Sequence, residues 1–185
     1  MESEYSSPEQ IPESKTRCIL DMSPAEARGF FLKATTYSDV EMPRYFDFGP
    51  LLLHVSEYLG DRRLSDFYAQ GKKPGGCEDV NYKFYSSRDG KYSWRPYQFI
   101  HPALYVSLAH RITEPDNWKI ITKRFADFTK DSRILCVSLP IESMEEKSDK
   151  AAMVSHWYKS IEQDAIKLAL DFEYVFHTDV TDCYG

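Results

Sequence analysis

Tyr174-Val175-Phe176-His177-Thr178-Asp179-Val180-Thr181-Asp182-Cys183-Tyr184 carries the most information about the architecture of this chain. Its aromatic and β-branched residues predict a strand from Tyr174 to Val180. Asp179 sits at the end of that strand, and a second acid, Asp182, follows shortly after. A carboxylate at the end of a buried strand is well placed to hold Mg²⁺ rigidly, because that ion takes hard oxygen donors in a fixed geometry. Two-metal phosphoryl transfer needs such a carboxylate, a partner carboxylate from elsewhere, and the substrate's phosphates. Asp179 reads equally simply as the cap of a turn or helix start, and on spacing alone capping has the stronger claim.

Upstream of this strand the pattern is mostly helical. Ser148 opens the longest predicted helix, through Met153, Trp157, Ile161, Ile166, Leu168 and Leu170. Before it, Ile134-Leu135-Cys136-Val137 predicts a short buried strand closed by Pro140. A helix capped at Asp116 or Asn117 holds Trp118, Ile121, Phe125 and Phe128, and another from His101 to about Ile112 carries Leu104, Tyr105, Leu108 and Ile112 on one side. Tyr82–Tyr85 and Tyr92–Trp94 flank Arg88-Asp89-Gly90, and Asp-Gly between aromatic-rich runs signals a hairpin. Lys72-Lys73-Pro74-Gly75-Gly76 lacks the Gly-Lys-Ser/Thr ending of a phosphate cradle and a preceding strand, so it reads as a linker loop.

Nearer the start, a short helical piece covers Leu64–Tyr68, and a helix from Pro50 to Tyr58 stops near Gly60. Ser23-Pro24-Ala25-Glu26 has the residues of a capping box with Pro at the first helical position, opening a helix to about Thr35. Residues 1–16, rich in Glu, Ser and Pro, read as a mobile lead-in. These alternations predict an α+β class: mainly helical, with a short antiparallel hairpin and a C-terminal strand near an exposed sheet edge.

Composition narrows the class further. The 185 residues are 42% hydrophobic and 15% aromatic, far from the profile of a disordered chain. A net charge of −6 argues against a simple nucleic-acid coat but leaves room for a local basic groove. Lys119, Lys123, Arg124 and Lys130 could follow template phosphates, although a solvated helix face explains them more simply. The four cysteines, Cys18, Cys77, Cys136 and Cys183, show no zinc spacing. An acidic, polar N-terminus and the lack of a long apolar run point to a cytoplasmic protein with reduced thiols and no membrane contact.

Tyr174–Gly185 resembles the first palm motif of reverse transcriptases: an apolar strand, a metal-binding Asp, a hydrophobic residue, two variable positions, a small or aromatic residue and an aromatic. Arg95-Pro96-Tyr97-Gln98-Phe99-Ile100-His101-Pro102-Ala103-Leu104-Tyr105 is similar to the fingers segment in which an Arg-bearing strand leads through Pro into a helix. Ser138-Leu139-Pro140, Trp157, Ile161-Glu162-Gln163 and Thr178-Asp179-Val180 resemble the bacterial abortive-infection and defence-associated branch. That resemblance implies residues 17–172 as N-terminal extension and fingers, and 173–185 as the start of the palm.

By the same resemblance, Asp179 would be catalytic and bind Mg²⁺, with the Val180 carbonyl as a further ligand. Tyr184 would lie under the incoming sugar and exclude a 2′-hydroxyl, with Asp182 near the nucleotide. Arg95 would grip the triphosphate, since a guanidinium forks phosphate oxygens; an ordinary surface charge on the hairpin is the alternative. Cys183, with no His or basic neighbour, reads as a packing residue. The implied partners are deoxynucleoside triphosphates, an RNA template and a DNA or protein primer, with antiphage defence as the setting.

A reverse transcriptase also needs a second carboxylate pair on an aromatic-x-Asp-Asp turn, and none of the 185 residues supplies one. The expectation is a front part of such an enzyme that does not polymerise alone. A non-catalytic module binding nucleic acid or a partner is the second reading, and an unrelated α+β protein in which Asp179 caps a turn is the third. An uncovered long helix and an unpaired strand edge predict self-association.

Overall fold

A computed structural model describes residues 16–38, 40, 43, 45–68, 80–87, 94–130, 136–144, 149–174, 176 and 178. The chain folds as two compact units: Leu20–Ile134, and a second made from Met1–Ile19 together with Leu135–Gly185. Helices predominate and the described strands form two antiparallel pairs, so the class is α+β. Among the described residues no helix is long and apolar enough to cross a membrane.

The first unit opens with α1, Pro24–Phe31. The Ser23 hydroxyl accepts from the Glu26 amide at 3.3 Å, and the Glu26 carboxylate accepts from the Ser23 amide at 2.8 Å. Two amides that the helix cannot satisfy internally are thereby bonded. The predicted run to Thr35 is interrupted. Lys33 adopts extended backbone and a short helix, α2, follows at Ala34–Tyr37. On one continuous helix Leu32 and Tyr37 would lie about 140° apart. The break lets both reach the same core cluster, where buried Leu32, Leu52 and Val106 meet Tyr37, Phe48, Val55 and Tyr105.

Helix α3 spans Gly49–Leu59, as the Pro50–Tyr58 pattern predicts to within a residue. Gly60 ends it at φ +53°, with its amide donating to the Ser56 carbonyl at 2.9 Å. With ψ at −131°, this positive-φ backbone is open to glycine and strained for other residues. Leu52 and Leu59 are its buried residues, and it packs on α4, Pro102–Ile112, which buries Val106 and Ala109. The predicted helical piece near Leu64 is a single 3₁₀ turn, Leu64–Phe67.

Between α3 and α4 stand β2, Tyr82–Ser87, and β3, Trp94–Phe99. Their antiparallel register pairs Tyr82 with Phe99, Phe84 with Tyr97 and Ser87 with Trp94. The hairpin is where the sequence places it, but β3 begins at Trp94 and runs on through Pro96 to Phe99. A two-stranded ribbon tolerates Pro96, since each strand has one side without a ladder partner. The proposed Arg88-Asp89-Gly90 turn and the 71–76 loop lie outside the described residues.

Helix α5, Pro115–Thr129, starts earlier than the sequence suggests. Glu114, not Asp116 or Asn117, occupies the cap position, because Pro115 suits the first helical residue and loses no needed amide bond there. Asn117 instead donates from its side chain to the Arg111 carbonyl at 2.8 Å. Trp118 is buried and its indole N–H donates to the Met22 carbonyl at 3.0 Å, tying α5 to the segment before α1.

In the second unit β1, Thr16–Cys18, pairs with β4, Ile141–Ser143. Arg17 donates to Glu142 at 2.9 Å across this ribbon. The strand expected at Ile134–Val137 is corrected where it is described: 134 and 135 lie outside the described residues, while residues 136–140 lie in no strand, Cys136 is exposed, and pairing begins after Pro140. Proline has no amide to donate to a ladder, and only its carbonyl is used, accepting from the Ile19 amide at 3.0 Å.

Helix α6, Asp149–Trp157, continues into a π-helical stretch, Tyr158–Gln163, and then α7, Asp164–Asp171. The Asp149 carboxylate accepts from the Ser143 amide at 2.8 Å, joining helix to ribbon. The predicted long helix is therefore present, with a wider turn in its middle. Among its described residues, Ile19, Ile141 and Ala152 are the buried apolar ones.

Candidate functional site

Asp179, Val180, Asp182 and Tyr184, the residues in which the sequence concentrates its chemistry, lie outside the described residues, as does Cys183. Of the strand predicted to deliver Asp179, the described residues Tyr174, Phe176 and Thr178 belong to no strand and are exposed. Aromatic content raises strand propensity, but a strand exists only with a pairing partner, and no described segment pairs with these residues. Among the described residues no group of three or more His, Cys, Asp or Glu side chains could hold a metal ion.

Arg95 falls in β3, opposite Ser86. The base of its hairpin is anchored by aromatic packing. Phe84 stacks on Phe99 with ring centroids 4.9 Å apart and on Tyr97 at 5.5 Å. Phe99 in turn meets Phe48 at 5.7 Å and Tyr37 at 6.3 Å. Tyr37 also meets Tyr105 edge-on at 4.9 Å, and its hydroxyl donates to the Ile100 carbonyl. Such pairs favour offset or edge-on geometry and fix the hairpin's exit from the helical core. Asn81 adds a polar clamp, accepting from the His101 amide at 3.0 Å. His101 caps α4 by accepting from the Ala103 amide at 3.2 Å.

Burial, reinforced by the neighbouring Tyr37, pushes the Tyr105 phenol up to about 12, and burial raises Tyr37 as well. Both stay protonated and serve as donors; Tyr105 donates to the Phe31 carbonyl at 2.7 Å. This cluster is a rigid support for the β3–α4 junction and offers no acid–base group near neutrality.

A polar group the sequence reading did not single out lies between α3 and α4. Ser56 Oγ and His110 Nε2 are 2.7 Å apart. Burial lowers the His110 pKa, the Arg28 cation lowers it further, and a backbone hydrogen bond with Gly60 and the charge of Asp61 oppose them. The net result is a neutral imidazole at physiological pH. Arg28 donates to Thr113 Oγ1 at 3.0 Å, and the buried Thr113 hydroxyl donates to the Ala109 carbonyl at 2.8 Å. A neutral imidazole on a serine hydroxyl is the pairing used to activate nucleophiles. Here both side chains are half-buried between packed helices, and no described hydrogen bond joins a carboxylate to the ring. The arrangement acts as an interhelical clip. Its signal in the sequence is a polar residue four positions after a buried one on each helix, Ser56 after Leu52 and His110 after Val106.

On α5, Lys119, Lys123, Arg124 and Lys130 are all exposed. Lys130 pairs with Asp127 and holds that carboxyl below its usual range, while Arg124 lies 6.0 Å from the Phe128 ring. Part of the basic face is thus engaged along its own helix. A scan of the chain against protein-family models finds no match, and a search of curated proteins finds none either.

Proposed function

We propose that this chain is the N-terminal part of an RNA-directed DNA polymerase of the abortive-infection type, adding deoxynucleotides in an antiphage defence setting. One observation carries the reading: Asp179 and Tyr184 stand in Tyr174–Gly185 with the spacing of a first palm motif. The β3–α4 junction supports it, because Arg95 lies on a strand that leads through Pro102, at the first helical position, into α4.

In this reading Asp179 and the Val180 carbonyl would hold Mg²⁺, and both are hard oxygen donors of the kind that ion prefers. When bound, the ion supplies charge neutralisation at the phosphates. Arg95 orients the triphosphate, Tyr184 excludes the 2′-hydroxyl and Asp182 faces the nucleotide. One carboxylate, with a neutral carbonyl beside it, supplies too little negative charge for two metals, so this polypeptide alone is expected not to polymerise. Cytoplasmic location belongs to the same proposal.

A second reading is a non-catalytic module that binds nucleic acid or a partner. Deoxynucleotide incorporation with Mg²⁺ separates the two. The comparison is between this chain, a longer form carrying the second carboxylate pair, and that longer form with Asp179→Asn. Incorporation only by the unsubstituted longer form supports a polymerase. No incorporation by any of the three supports the binding module.

A further inference from the structure

A single peptide group turns the chain from β3 into α4, and side chains from two other segments grip both of its ends. Its carbonyl, that of Ile100, accepts from the Tyr37 hydroxyl on α2. Its N–H, that of His101, donates at 3.0 Å to the carboxamide of Asn81, just before β2. A peptide group is a rigid plane, so holding its oxygen and its hydrogen together restrains the two dihedrals beside it, ψ of Ile100 and φ of His101. Those two dihedrals set the angle between the hairpin and α4. On the helix side His101 is already fixed, because its own carbonyl accepts from the Leu104 and Tyr105 amides at 2.9 and 3.0 Å.

Both grips are themselves held. The Tyr37 ring meets Phe48 edge-on at 5.0 Å and Tyr105 at 4.9 Å. The Asn81 amide nitrogen makes a longer contact of 3.4 Å with the Gln98 side chain, so one carboxamide touches both β3 and the start of α4. Packing of Phe84 and Phe99 keeps the base of the hairpin against the core, but apolar contact is not directional and leaves the angle to the hydrogen bonds. The hairpin magnifies that angle. Arg95 precedes Ile100 by five residues, a lever of about 16 Å at roughly 3.3 Å per residue. A turn of about 10° at the pivot moves the Arg95 backbone by about 3 Å, and a misplacement of about 1 Å can cost a hundredfold in a positioned reaction.

We propose that Tyr37 and Asn81 are positioning residues for Arg95, setting the angle at which its strand meets the triphosphate of the incoming nucleotide. This rests on the polymerase reading, in which Arg95 orients that triphosphate. Neither Tyr37 nor Asn81 touches the nucleotide in this scheme; both act through the Ile100–His101 peptide.

The test uses deoxynucleotide incorporation by the longer form and hydrogen exchange in this chain. Tyr37→Phe keeps the ring and loses the hydroxyl, and Asn81→Ala loses the carboxamide. Each should raise the KM for the deoxynucleotide about tenfold, with helix content unchanged by circular dichroism. Asn81→Asp keeps an acceptor for the His101 amide and should stay near the parent. On an Arg95→Ala background neither loss should add more than about twofold, since the residue being positioned is gone. In this chain, the His101 amide should exchange about tenfold faster in Asn81→Ala, while the Thr113 amide at the far end of α4 is unchanged. An unaltered His101 rate overturns the grip on the pivot. Parent KM in both variants, or an equal rise on the Arg95→Ala background, overturns the positioning role. No incorporation by the unsubstituted longer form overturns the polymerase reading itself and the role of Arg95 with it, whatever the exchange rates.

Discussion

Leu52→Ala tests the packing of the helical unit at its centre. Leu52 is fully buried and belongs to the cluster with Leu32 and Val106, where α3 meets α4 and the end of α1. Truncation removes the transfer free energy of the lost carbons and leaves a cavity that close-packed neighbours fill only in part. Together these cost about 3–4.5 kcal/mol. Leu53, the next residue on the same helix, is 54% exposed, so Leu53→Ala should cost under about 1 kcal/mol. With a urea m-value of about 1.5 kcal/mol/M, the Leu52→Ala midpoint should fall by about 2–3 M while the slope stays unchanged. Circular dichroism and tryptophan fluorescence, followed together, would show whether one transition is being measured. If Leu52→Ala and Leu53→Ala shift the midpoint equally, the assignment of the buried face of α3 is refuted.

His110 should give the helical unit a dependence on pH. Its folded pKa is depressed below 6.5, chiefly by burial and then by Arg28, so the unfolded chain binds the proton first as pH falls. The contribution is complete above pH 6.5 and is lost as pH drops below it; His110→Asn should lose less stability between neutral pH and about pH 5 than the parent in urea melts. Ser23→Ala removes the reciprocal cap of α1 and should cost about 0.5–2 kcal/mol in the same melts, with Ser23→Asp retaining most of the stability. Gly60→Ala places a Cβ on backbone at φ +53° and ψ −131° and should cost about 1–3 kcal/mol. Nothing lies within 3.4 Å of that Cβ, so the cost is backbone strain alone, and Gly60→Asn should cost about as much, because ψ −131° lies outside the αL region that Asn tolerates. Unchanged stability in Gly60→Ala would contradict the backbone assignment at position 60.

Features written in adjacent residues were legible in the sequence. Ser23, Pro24 and Glu26 contain the whole capping box, and Pro50 with Gly60 brackets α3, because these residues act on amides and dihedrals within one turn of themselves. The hairpin was legible as a pair of aromatic runs, but not its register, which ends at Tyr82–Phe99 because Phe99 packs on Tyr37 and Phe48 from other parts of the chain. Strands β1 and β4 were missed because three residues carry almost no periodicity and each depends on a partner more than a hundred positions away. For the site, Arg95 is placed on a strand leading into α4, whereas Asp179 and its neighbours fall outside the described residues. The Ser56–His110 clip left only the spacing of each polar residue from a buried one on its own helix, and that spacing does not pair the two until α3 and α4 meet.

The pairing of β1 with β4 sets an order of events for a chain leaving the ribosome. Leu20–Ile134 lies between the two strands, so the helical unit can be synthesised and close on itself before β4 exists. If that intervening segment is unfolded, joining Cys18 to Ile141 closes a loop of about 120 residues, at a chain-entropy cost of roughly 4 kcal/mol beyond a constant term. A folded helical unit has already brought its own ends to a fixed separation and removes most of that cost. The ribbon thus depends on the helical unit through chain connectivity, and heat or denaturant that melts the first should also loosen the second.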